Sequence, residues 1–203
     1  MAVEHDLGSA ADQVARLAEG VREEYLDLPT PCSEWTVDDL LRHLLELTGA
    51  FTAAARKEPF PGDGSGRPPQ LPASWQGRLT DQLDALVVAW RRPDAWVGEA
   101  EAGGVTMPAA LMGAVAIDEL VLHGWDLARA TGQSFESDPA SVKASLEFAA
   151  EMSIPGEEAA REGLYGPVVP VSADAPDLDR LLGYAGRDPL WSSDEISGHD
   201  RLR

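Results

Sequence analysis

Residues 107–132 read MPAALMGAVAIDELVLHGWDLARATG, the longest uninterrupted helical pattern in the chain. Proline is tolerated in a first turn and glycine takes the left-handed position that ends a helix, so Pro108 and Thr131-Gly132 bracket a helix from about Met107 or Pro108 to Ala130. At 100° per residue, Met112, Val115, Ala116, Glu119, Leu122, His123 and Asp126 share one arc of roughly 120°. Ala114, Ile117, Val121 and Ala128 make the opposite side apolar too. A helix without a broad charged face is surrounded by protein, and its polar side chains then need partners. A buried carboxylate is costly unless it is paired, hydrogen-bonded or bound to a metal, which singles out Glu119.

Glu119 and His123 are four residues apart, a spacing that sets their Cβ atoms roughly 5–6 Å apart on one face, within the span of a single metal ion. His43 lies on the stripe of an earlier helix with Leu40, Leu44 and Leu47 and points inward with them. Two imidazoles and one carboxylate leave a coordination position open on Zn²⁺, the mark of catalytic rather than structural zinc. Asp126, near the next turn, suits the other N–H of His123 or a ligand contact. The plainer alternative is a hydrogen-bonded core histidine beside a Glu-His pair that falls four apart by chance.

Working outward, Leu7, Ala10, Ala11, Val14, Leu17, Ala18, Val21 and Tyr25 recur at helical spacing and predict a first amphipathic helix. Pro29 and Pro31 break it. Thr36 with Asp39 can cap a second helix, Trp35 packing on Leu40 as a staple, and the pattern fades near Lys57. Five prolines and three glycines between Pro59 and Pro72 mark a long loop. Trp75, Leu79, Leu83, Leu86 and Trp90 predict a third helix, with Arg91, Arg92 and Pro93 as its cationic stop. Val97 and Val105 flank glycines in a short hairpin or extended connector between Trp96 and Thr106. Asp138-Pro139 opens a helix through Met152, the stretch Gly163 to Pro176 is rich in Pro and Gly, and a short helix follows at Asp177 to Tyr184. The expected architecture is mostly α, a bundle of four principal helices in one domain over residues 1–191, with a disordered tail over 192–203.

The chain has 203 residues, 44% of them hydrophobic, and 16 Lys+Arg against 35 Asp+Glu give a formal charge of −19. That charge repels phosphate backbones and anionic membranes, so nucleic acid and membrane partners are not expected. No stretch reaches the roughly 20 apolar residues of a membrane span, and MAVEHDLGSA lacks the features of a signal peptide. A cytoplasmic setting is expected, in keeping with Cys32 as the single cysteine.

The segments Thr30-Pro-Cys-Ser-Glu-Trp-Thr-Val-Asp-Asp-Leu-Leu-Arg-His43 and Asp118-Glu-Leu-Val-Leu-His-Gly-Trp-Asp-Leu-Ala128 together resemble the mycothiol-dependent maleylpyruvate isomerase N-terminal family, within the DinB-like four-helix-bundle superfamily. The resemblance runs from the first helix to the short helix near Tyr184. It implies a zinc ion held by His43, Glu119 and His123, which match the family's ligand positions, and mycothiol as a thiol cosubstrate. The resemblance leads to the expectation that the Leu164 to Trp191 extension stands where the fuller isomerases have a separate C-terminal domain.

The function expected is a metal-dependent isomerase or S-transferase in which the metal activates a low-molecular-weight thiol for attack on a small electrophile, with Asp126 as the candidate catalytic residue. The alternatives are a metal- or ligand-binding bundle without turnover and a scaffold that has lost its metal. Cys32 reads as structural or incidental, His5 and His199 as solvated, and Arg42 and Arg129 as surface charge. Trp35, Trp75, Trp90, Trp96 and Trp125 read as packing. The Gly62, Gly64 and Gly66 run follows no strand, so it reads as a flap rather than a phosphate loop.

Overall fold

The computed structural model describes residues 5–32, 35–60, 70–156, 158–161 and 163–193. His199, the glycine run at 62–66 and most of the expected tail lie outside these residues.

Four helices form the bundle: α1 (Gly8–Glu19), α2 (Val37–Arg56), α3 (Trp75–Trp90) and α4 (Ala109–Thr131). Helix α2 packs between α3 and α4, and α1 packs against the same two from the opposite corner, so α2 and α4 are neighbours. A hairpin of β1 (Glu99–Ala102) and β2 (Val105–Pro108) precedes α4. Helix α5 (Pro139–Glu151) lies on α4, and α6 (Asp177–Tyr184) lies on α5. No helix among the described residues is long and apolar enough to cross a membrane.

The local chemistry explains these boundaries. Thr36 and Asp39 form a reciprocal capping box, Thr36 Oγ1 accepting from Asp39 N at 3.3 Å and Asp39 Oδ2 accepting from Thr36 N at 3.1 Å. Gly132 ends α4 with φ +68°. Asp138 caps α5 by accepting from Ser141 N at 2.9 Å, with Pro139 in the first turn. Gly103 and Gly104, at φ +59° and +78°, supply the two left-handed residues a tight hairpin turn requires, which settles the connector as a hairpin.

Three expectations differ in detail. The first helix stops at Glu19 instead of reaching Tyr25; Gly20 leaves room for Gln133, whose side-chain amide donates to Leu17 O at 3.0 Å, and Glu23–Tyr25 form a separate 3₁₀ turn. Arg91 and Arg92 fall beyond α3 and pair with Asp6 and Asp94. His5 is half-buried, its ring edge-on to Trp96 at 6.1 Å, and burial lowers its pKa.

The core runs unbroken from Leu7, just before α1, to Ala185 after α6. Helix α4 is at its centre: seventeen of its residues are buried, on all sides, as its lack of a charged face requires.

Candidate metal centre

Adjacency of α2 and α4 brings His43 opposite Glu119 and His123. Glu119 Oε2 lies 3.3 Å from His43 Nε2 and 3.0 Å from His123 Nε2. One donor atom from each residue lies within 4.8 Å of the other two. The imidazole rings are 4.9 Å apart at 84°, so they address the carboxylate from different directions. His123 is nearly buried, whereas about a fifth of the His43 and Glu119 side chains stays open, at 21% and 22%.

That opening is a cavity of about 380 Å³. The three residues share its lining with Pro31, Cys32 and Trp35 and with Gly163 to Gly166 and Ala185 to Arg187 from the C-terminal segment. Trp35 is half-buried and faces the imidazoles, stacked on His123 at 5.7 Å and 22° and edge-on to His43 at 4.9 Å and 62°. It packs against the core, as the sequence suggests, and also lines the cavity.

His123 Nδ1 lies 3.0 Å from Asp126 Oδ2. Asp126 is wholly buried and absent from the cavity lining, and it meets the cavity through the two lining residues it bonds, His123 and Arg187. Burial works against its charge, but Arg187 and His123 hold its pKa below the usual carboxylate range. Burial likewise opposes the charge of Glu119 and is outweighed by hydrogen bonds from His123 and His43, which keep it ionised. For His123, burial favours the neutral ring, yet hydrogen bonds to Asp126 and Glu119 raise its pKa to about 9. The two neighbouring carboxylates thus favour a positive charge at His123. Two imidazole nitrogens and one carboxylate oxygen fit Zn²⁺ or another borderline divalent ion.

Four further residues escape the sequence reading. Cys32 lines the cavity, and its sulfur forms a second close group with donor atoms of His123 and Asp126, all within 4.8 Å. Asp118 is buried; Tyr165 Oη donates to its Oδ2 at 2.5 Å, while Oδ1 has no hydrogen-bond partner among the described residues. Burial, only partly offset by Tyr165, pushes the Asp118 pKa up to about 7. The fourth is Arg187, on the cavity wall. Asp118 could have been found by the argument that found Glu119, a charge on a helix with no charged face; Tyr165 and Arg187 follow no periodic pattern. Arg42 is half-buried between Asp38 and Asp39, and Arg129 donates to Trp191 O at 3.0 Å, so neither is simple surface charge.

A sequence model of the mycothiol maleylpyruvate isomerase N-terminal domain matches residues 7–128. Uncharacterized proteins of Mycobacterium tuberculosis, from strains CDC 1551 / Oshkosh and ATCC 25618 / H37Rv, are each 29% identical over 182 residues, covering 88% of this chain and 93% of theirs. Among solved structures, a mycothiol-dependent maleylpyruvate isomerase superposes with a TM-score of 0.52 at 20% identity, and a histidine-to-alanine mutant with 0.53 at 19%. Each alignment covers 72% of this chain and 67% of that chain, a likeness of fold. With the matched span exceeding half its length, the chain belongs to the mycothiol maleylpyruvate isomerase N-terminal domain family.

Proposed function

We propose that this protein is a metal-dependent enzyme that uses a low-molecular-weight thiol, mycothiol being the family's, to isomerise or conjugate a small electrophile. The observation that carries the reading is the convergence of His43, Glu119 and His123 on one wall of a cavity large enough for a small molecule. Membership of the family supports the choice of thiol.

His43 Nε2, Glu119 Oε2 and His123 Nε2 would hold the ion. A divalent ion there supplies Lewis acidity, lowering the pKa of a thiol so that thiolate is available at neutral pH. Asp126 accepts the Nδ1–H of His123 and leaves Nε2 free to bind. Trp35 packs against both imidazoles and so limits their movement. The C-terminal segment completes the cavity lining, and in this reading it would contact the electrophile.

Elemental analysis of the purified protein should find about one zinc or similar ion per chain, largely lost in His43→Ala and His123→Ala. In a cobalt-substituted sample, mycothiol should shift the visible absorption, and the protein should then turn over maleylpyruvate or conjugate an alkylating electrophile. Metal retention with no spectral response to any thiol would drop the thiol chemistry and leave a metal- or ligand-binding bundle.

A further inference from the structure

The chain after α5 lies outside the span matched by the family, yet it reaches the centre through one guanidinium. Arg187 Nε donates to Asp126 Oδ1 at 3.3 Å and Nη2 to Asp126 Oδ2 at 2.9 Å, a two-pronged pair. A third donor, Nη1, reaches Ala185 O at 2.9 Å. The backbone fixes the side chain's origin: Arg187 N donates to Leu182 O at 2.8 Å, and Gly186, at φ +80°, lies so close to Gly166 that a Cβ there would come within 2.9 Å of its backbone. Both members of the pair are buried, the Arg187 side chain 7% exposed and that of Asp126 0%.

Asp126 Oδ2 is shared between Arg187 Nη2 and His123 Nδ1. Rotation of the carboxylate would break both prongs, so the guanidinium fixes the plane in which His123 finds its acceptor. The imidazole is held with Nδ1 toward Asp126 and Nε2 toward Glu119. A planar fork imposes such an orientation and a point charge does not.

We propose that Arg187 is a positioning residue of the metal centre, fixing the orientation of His123 through Asp126; this rests on the reading of His43, Glu119 and His123 as ligands. The ion's affinity is thereby tied to a segment more than sixty residues from its partner on α4.

Two measurements test this: zinc affinity by competition with a chromophoric chelator, and the downfield proton resonance of His123 Nδ1–H in chelator-treated protein, assigned by its loss in His123→Ala. Arg187→Gln should weaken zinc binding about 10–100-fold and broaden the resonance, with the helical circular dichroism unchanged. Arg187→Lys, which keeps the charge without the fork, should restore only part of the affinity. A folded Arg187→Gln protein with wild-type zinc affinity and an unaltered resonance overturns the proposal. Should Arg187→Gln fail to fold, wild-type zinc affinity in Arg187→Lys overturns it, and partial loss upholds it. If the wild type binds no zinc, the ligand reading falls, and the resonance alone decides whether Arg187 orients His123.

Discussion

Asp118 and Asp126 are both buried on α4, and their surroundings set them apart. Asp126 meets a guanidinium and an imidazole; Asp118 meets one phenol and keeps an oxygen without a hydrogen-bond partner among the described residues. Burial raises the pKa of Asp118 from 3.8 to about 7, so its neutral form favours folding. That contribution is complete below the ordinary carboxylate pKa and is lost as pH rises through about 7. Asp118→Asn, which keeps an acceptor for Tyr165 and carries no charge, should therefore stabilise chelator-treated protein against urea by roughly 1–3 kcal/mol at pH 8, the gain shrinking toward pH 5. A gain of equal size at both pH values would show that Asp118 does not titrate in this window. At this scale, Glu119, His123 and Asp126 were legible because helical periodicity places residues three and four apart on one face. Tyr165 and Arg187 were not, since their partners lie 47 and 61 residues away and irregular chain carries no period.

Among the elements, α4 shows how close packing overrides propensity. Gly113 is in its interior, where alanine alone would favour the helix by about 1 kcal/mol. A Cβ there would sit 2.4 Å from the Trp96 ring and 3.0 Å from that of Trp90. Those rings are buried edge to face, and Trp96 Nε1 donates to Trp90 O at 2.7 Å, so neither can withdraw cheaply. Gly113→Ala should therefore destabilise by about 1–3 kcal/mol, seen as a lower urea midpoint; a raised midpoint would mean the tryptophan pair yields. Caps and breakers made the helices readable, the Thr36–Asp39 box and Gly132 above all. Trp35 packs as that reading has it, but its place in the cavity lining was not legible, because His123 comes against it only from α4.

For the molecule as a whole, a formal charge of −19 attracts cations. Zinc that binds only the folded state at a hundred times its dissociation constant adds about 2.7 kcal/mol. For a chain of this size that should raise the melting temperature of chelator-treated protein by about 5–10 °C in calorimetry. No rise at saturating zinc would mean that the ion does not prefer the native state. The four-helix arrangement was visible in the chain's periodic stretches, but the wall that closes the cavity was not. That wall separates two tasks. His43, Glu119 and His123 are carried by long helices locked into the core, whereas Gly163 to Gly166 are irregular chain in the same lining. Substitutions in that loop can reshape the cavity while the helices that carry the three side chains keep their register, so contour and anchorage are free to change separately.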